Sequence, residues 1–260
     1  MEDSHICHVL SSDIELYGVF DGHCGDSASK LCSEMMKEVL TETEEFMNAQ
    51  YKDAFVKAFV RMDELVVENG ITSAGTAAIC VLLTKDKIIV ANAGDSRAIL
   101  KRSGQEAEAL SFDHKPNNPE EFKRIKAGGG FVSEGRVNGS LALSRAIGDM
   151  PFKVSDCEPA NQVVTCVPEV HEYERDGSEL FLYIACDGIW DCDDIHSISN
   201  FLCRNIHEYK TVNEALFEKY ISASSLSEPG GDNMTAILVG FLNDLTEEAW
   251  IERVQRQINS

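Results

Sequence analysis

The sequence predicts an α+β fold in which antiparallel sheets of short strands are covered by helices. Two amphipathic helical patterns stand together near the N-terminus, and helical patterns gather again near the C-terminus. Between them lie consecutive short apolar runs joined by tight turns, too close together for intervening crossover helices. Helix pairs bracketing groups of adjacent strands define a layered α+β architecture rather than a Rossmann fold.

Each element has its own signal. Ile14 to Phe20 is apolar with aromatics and ends at Asp21-Gly22, as a strand ends at a turn. Over residues 26–40 the period changes: Ala28, Leu31, Cys32, Met35, Met36 and Val39 fall at helical spacing. A second helix is predicted from about Glu45 to Asn69, with Tyr51, Ala54, Phe55, Ala58, Phe59, Met62 and Leu65 on one face and Gly70 as its cap. Thr76–Leu83, Ile88–Ala93 and Arg97–Leu100 read as strands, joined by Lys85-Asp86-Lys87 and Gly94-Asp95-Ser96. Pro119 opens a short helix that closes at Gly128-Gly129-Gly130. After an irregular stretch around 145–168, Leu180–Cys186 is a strand that again ends in Asp-Gly. Helices at about 193–208 and 212–225, a strand at Met234–Phe241 and a helix from about Glu247 complete the chain.

The 260 residues, 43% hydrophobic and 26% charged, suit a globular protein, and with no linker or repeat they read as one continuous domain over 1–260. No apolar run approaches the roughly 20 residues that span a bilayer, and Met1-Glu2-Asp3 begins no secretory signal. Nine cysteines without a C-x-x-C pair suit reduced thiols, so the expected location is cytoplasm or nucleus. A formal charge of −21 argues against nucleic acid and anionic membranes as partners.

The recurrent feature is an aspartate at the end of an apolar strand: Asp21, Asp95 and Asp187 follow strands, and Asp232 precedes one. Strand ends are rigid, so carboxylates fixed there can converge on one point. Converging carboxylates repel unless cations or protons neutralise them, and an all-oxygen ligand set selects hard ions such as Mg²⁺ or Mn²⁺. A single Asp-Gly is ordinarily only a turn. Four such sites, one followed by His23, shift the reading toward a metal centre. No EF-hand spacing is present to support a simple cation-binding protein.

The chain resembles the protein phosphatase 2C family of metal-dependent serine/threonine phosphatases. The matching stretches run in family order: MED (Met1–Asp3), YGVFDGHCG (Tyr17–Gly25), SAGTAA (Ser73–Ala78), VANAGDSRAIL (Val90–Leu100) and SFDHKPNNPEEFKRIKAGGGFV (Ser111–Val132). RVNGSLALSRAIGD (Arg136–Asp149), PEV (Pro168–Val170), LYIACDGIWD (Leu182–Asp191) and GGDNMTAILV (Gly230–Val239) follow. The resemblance implies a four-layer α-β-β-α sandwich of two mainly antiparallel sheets flanked by helix pairs, with two divalent cations, Mg²⁺ or Mn²⁺, at one edge.

It further implies that Asp21 bridges the two metals, that the Gly22 carbonyl and Glu2 serve one of them, and that Asp187 and Asp232 serve the other. Asp3 would hold metal-bound waters, and Asp95 and Asp191 match a weaker third site. His23 would be the general acid that protonates the leaving serine or threonine oxygen, after attack by a hydroxide bridging the metals. The substrates implied are phosphorylated proteins and the expected state is a monomer. Arg97 and Arg145 are expected in structural salt bridges, His114 in a loop, Trp190 in the core, and residues 144–168 in a variable flap beside the site. Family members carry a phosphate-binding arginine a few residues before MED. The sequence begins at Met1 and does not contain it, which implies a truncated N-terminal strand and weaker phosphate binding. The alternative function is a catalytically weak relative acting as a regulatory or binding module.

Overall fold

The computed structural model describes residues 1–154, 157–221 and 230–259. Strand β1 (Ser4–Ser11) pairs antiparallel with β2 (Ile14–His23). Two helices follow, α1 (Ser27–Thr41) and the short α2 (Glu44–Met47), and then α3 (Tyr51–Glu68). Strands β3 (Gly75–Leu83), β4 (Lys87–Ala93), β5 (Arg97–Arg102) and β6 (Glu108–Ala109) lead to α4 (Pro119–Ala127). A small hairpin, β7 (Val132–Ser133) with β8 (Arg136–Val137), and the two-residue β9 (Ile147–Gly148) lie in the irregular middle. The chain continues with β10 (Glu169–Glu174), β11 (Glu179–Ala185), α5 (Asp187–Trp190), α6 (Ile195–Asn205) and α7 (Val212–Tyr220). It closes with β12 (Ala236–Gly240) and α8 (Glu247–Gln255).

One sheet has the order β1-β2-β3-β4-β10, with β9 added to β3; the second has the order β12-β11-β5-β6. The period of two along each strand divides its side chains between two layers. In β3, Ala78, Cys80 and Leu82 face α1 and α3, whereas Ile79, Val81 and Leu83 enter the space between the sheets. In β11, Leu182 and Ile184 face that same inner space, whereas Phe181 and Tyr183 pack under α6, α7 and α8. Both faces of the central strands are therefore buried, which is why they read as unbroken apolar runs. The result is the expected α-β-β-α order of layers.

Several boundaries differ from those read in the sequence. β2 does not stop at Asp21-Gly22: its pairing with β3 continues through Gly22↔Thr76 to His23↔Gly75. Tertiary pairing overrides the turn tendency of Asp-Gly because Gly22 lies against the Glu2 backbone, where a Cβ would stand 2.2 Å from the Glu2 carbonyl oxygen. The single helix predicted over 45–69 is two, broken after Asn48 where Ala49 takes φ 56°. The last turn of α3 closes as predicted: Gly70 has φ 72°, its N–H reaches the Val67 carbonyl, and Ile71 N–H reaches that of Val66. Strands β1 and β10 carry no apolar run, since in β1 only Ile6 is buried, so the pattern alone passed over them. Of the helix predicted over 212–225, Val212–Tyr220 is formed, and 222–225 lie outside the described residues.

Candidate metal centre

Strands β2, β4 and β11 deliver their ends to one edge of the sandwich. Asp21 lies near the end of β2 and Asp95 in the turn after β4; Asp187 follows β11 after the single residue Cys186 and opens α5. The turn at Gly94 needs a glycine: φ is +136°, and a Cβ would lie 2.4 Å from that of Ala77. One carboxylate oxygen from each of Asp21, Asp95 and Asp187 lies within 4.8 Å of the others. Asp232 reaches the same place because Gly188 lets the chain before β12 pass close; a Cβ there would sit 2.0 Å from the Asn233 carbonyl oxygen. A cavity of about 600 Å³ is lined by Glu2, Asp21, Gly22, His23, Asp95, Asp187 and Asp232, together with Arg136 and Asp149.

The remaining two predicted ligands do not line that cavity. Asp3 stands behind Asp21: its Oδ2 accepts from the Thr235 hydroxyl at 2.7 Å, and its Oδ1 is buried with no hydrogen-bond partner. Asp191 ends α5 on the surface, and its charge is felt by Asp187 and Arg97. The N-terminal residues are held in place, since Glu2 N–H donates to Asn233 Oδ1 at 2.6 Å and Gly25 N–H donates to Glu2 Oε1 at 2.9 Å.

The electrostatics are those of uncompensated negative charge. Burial, then the charges of Asp187, Asp3 and Asp95, push the Asp21 carboxyl up to about 10. Burial and the charges of Asp95 and Asp191 push Asp187 up to about 7. Burial also raises Asp95, although Lys115 donates to it and offsets part of the effect. His23 Nε2 lies 2.9 and 2.8 Å from the two carboxylate oxygens of Asp149. Burial favours its neutral form, but Asp149, Asp95 and Glu2 outweigh that and hold its pKa above the ordinary imidazole value.

These features fit a hard cation. The donors are all oxygens, they converge from rigid strand ends, and the buried Asp3 Oδ1 is an acceptor still lacking a donor. Sequence reasoning assigned no role to Lys115 or Asp149. Both lie inside motifs quoted above, but neither follows a strand-end pattern, and only the folded chain shows what they touch. The other expectations resolve simply. Arg97 pairs with Asp113 and Arg145 with Glu121, and His114 Nδ1 lies within hydrogen-bond distance of the Gly94 carbonyl oxygen, at 3.1 Å. Trp190 is 5% exposed and donates to the Ala185 carbonyl. All nine cysteines are free thiols, Cys24 exposed and Cys186 buried. Among the described residues no helix is long and apolar enough to cross a membrane.

The fold and this site together define a class: an α-β-β-α sandwich with an edge cluster of carboxylates able to hold divalent cations. The family model described as protein phosphatase 2C matches residues 1–226. The chain belongs to the protein phosphatase 2C family, whose members are metal-dependent. It is 38% identical to protein phosphatase 2C homolog 2 of Schizosaccharomyces pombe, over 100% of this chain and 74% of that protein. It is 41% identical to protein phosphatase 2C homolog 2 of Aspergillus fumigatus, over 94% of this chain but only 59% of that longer protein. Among solved structures, a phosphatase from Toxoplasma gondii superimposes with a TM-score of 0.79 at 26% identity, covering 95% of this chain and 90% of the other. A sex determining protein of C. elegans shares the fold, with a TM-score of 0.77 at 23% identity, covering 98% of this chain and 64% of the other.

Proposed function

We propose that residues 1–260 form one catalytic domain, a metal-dependent protein phosphatase that hydrolyses phosphoserine and phosphothreonine in phosphorylated proteins. The observation that carries this reading is the convergence of Asp21, Asp95 and Asp187 within 4.8 Å, with Lys115 as the one cationic side chain that donates to them among the described residues. Family membership supports the reaction class.

When bound, two divalent cations, Mg²⁺ or Mn²⁺, supply a water of lowered pKa and positive charge opposite the phosphoryl oxygens. Asp21 would serve both cations. The Gly22 carbonyl and Glu2 would serve one, and Asp187 and Asp232 the other. Asp95 and Asp191 would offer carboxylates to a weaker third. Asp3 has a free buried acceptor for an ordered water. His23 lines the cavity beside the Asp21–Gly22 ligand pair and holds a proton that the leaving oxygen needs as the phosphate ester breaks.

Hydrolysis of a phosphothreonine peptide by the 260-residue chain tests the proposal. Phosphate release with Mn²⁺ or Mg²⁺ that stops with EDTA is the expected result. Folded protein that binds Mn²⁺ by calorimetry yet releases no phosphate overturns it.

A further inference from the structure

The buried carboxylate of Asp149 lies against His23, and the fold is shaped around that pair. Asp149 is 2% exposed. Among the described residues its only ion-pair partner is His23; the nearby Lys153 is taken by Asp63 on α3. A buried carboxylate without a partner is costly, so this contact is a requirement on both groups. The two residues are 126 positions apart and meet across three strands. In the register, His23 stands opposite Gly75, and Gly75 stands opposite Gly148, the residue before Asp149.

Gly75 makes room for the pair itself, and Gly148 for the close approach of the neighbouring backbone. A Cβ on Gly75 would lie 2.3 Å from Asp149 Oδ2 and 2.6 Å from His23 Nε2, inside both side chains. Gly148 takes φ +89°, and a Cβ there would strike the Ala74 carbonyl oxygen at 2.5 Å. Asp149 itself takes the left-handed conformation, φ 56° and ψ 43°, which is unfavourable for a non-glycine residue. Gly148 N–H donates to Asp63 Oδ1 at 2.7 Å, tying this bend to α3.

A carboxylate only accepts hydrogen bonds, so the ring nitrogen facing it must carry the proton. His23 Nε2 is therefore N–H in the neutral ring as well as in the cation. Nδ1 forms no hydrogen bond among the described residues, and the ring lines the carboxylate cavity. We propose that Asp149 is a positioning residue: it fixes the orientation and tautomer of His23, so that Nδ1 is the nitrogen that exchanges a proton with the leaving group. In the step itself a water-derived oxygen bonds to phosphorus and the bond to the serine or threonine oxygen breaks. That departing oxygen takes the Nδ1 proton, and the ring is left neutral with its Nε2–H still on Asp149. The inference rests on the general-acid reading of His23 given above.

Two measurements test it. In metal-free wild-type protein at alkaline pH, long-range ¹⁵N–¹H correlation spectra, with His23 assigned by loss of its signals in His23→Ala, are expected to show the Nε2–H tautomer. A dominant Nδ1–H tautomer overturns the proposal without any variant of Asp149 or Gly75 having to fold. The second measurement is kinetic, with Mn²⁺ present, on a phosphothreonine peptide and on 4-nitrophenyl phosphate, whose leaving group needs little protonation. Asp149→Asn keeps the shape and the left-handed tolerance but loses the charge. It is expected to lower kcat on the peptide about 10- to 100-fold, with KM unchanged and the aryl phosphate within about threefold. The His23→Ala/Asp149→Asn double variant should be no slower than His23→Ala alone, and Gly75→Ala, which displaces the pair without removing either group, should reproduce the split. Equal losses of Asp149→Asn on both substrates, or additivity in the double variant, reduce Asp149 to a fold residue. If His23→Ala itself shows no split, it is the general-acid reading that fails.

Discussion

Two clusters of buried charge in this molecule have opposite character. Around Asp21, Asp95 and Asp187 like charges meet, and burial with mutual repulsion pushes Asp21 up to about 10. Around Glu121, burial works in the same direction, but Arg124 and Arg145 donate to it, joined by the Ser144 hydroxyl, and bring its carboxyl down to about 2. Burial is common to both, so the partner decides. The Glu121 cluster is complete within the chain and serves as architecture, fastening α4 to the segment that leads into β9. The aspartate cluster has only Lys115 to offset it among the described residues, which fits the proposed role of these carboxylates in holding cations.

The largest effect expected from this contrast is at Asp187. Asp187→Asn should lower phosphate release at limiting Mn²⁺ on the order of 10³-fold, because phosphoryl transfer depends on charge held at this point. The same change should raise the melting temperature of the metal-free protein, since it removes one of the repelling carboxylates. Turnover near that of the wild type, or a lower metal-free melting temperature, would break the contrast. Glu121→Ala should act in the opposite sense. It leaves two guanidinium groups without their carboxylate and is expected to cost about 3–5 kcal/mol in urea denaturation. Calorimetric Mn²⁺ affinity should survive in whatever fraction remains folded.

Metal addition sharpens the comparison further. Raising free Mn²⁺ to a hundredfold its dissociation constant should stabilise the wild type by about 2.7 kcal/mol. EDTA should reverse the gain, and Asp187→Asn should show much less of it. The smallest effect is that of pH on the compensated cluster. The folded pKa of Glu121 lies below the ordinary glutamate value, so its contribution is full above about pH 4.5 and is lost as pH falls through about 2. The stability difference between wild type and Glu121→Gln should therefore shrink by about 2 kcal/mol between about pH 5 and pH 3. A difference that stays constant over that range would show that Glu121 is not held ionised by its arginines.

The layers and most strands and helices were legible because periods of two and of 3.6 are local properties of a chain with one burying face or two. Strand β1 was not legible, since its partner is β2 and only Ile6 is buried. The extension of β2 to His23 was also hidden, because Asp-Gly has a local preference for turns that pairing with Gly75 and Thr76 overrules. At the site, the aspartates announced themselves by standing at the ends of apolar runs. Lys115 and Asp149 did not, for a loop lysine and an aspartate after Ile-Gly have many uses.

The sequence by itself determined the α+β class, the aspartates that gather at the strand ends and, through the order of its motifs, the family. Tertiary structure alone decided which charges meet: Lys115 with Asp95, Asp149 with His23, and Glu121 with its two arginines. The reason is physical. A strand or helix is written into neighbouring residues, whereas an ion pair between residues 126 positions apart depends on the register of strands that neither residue specifies.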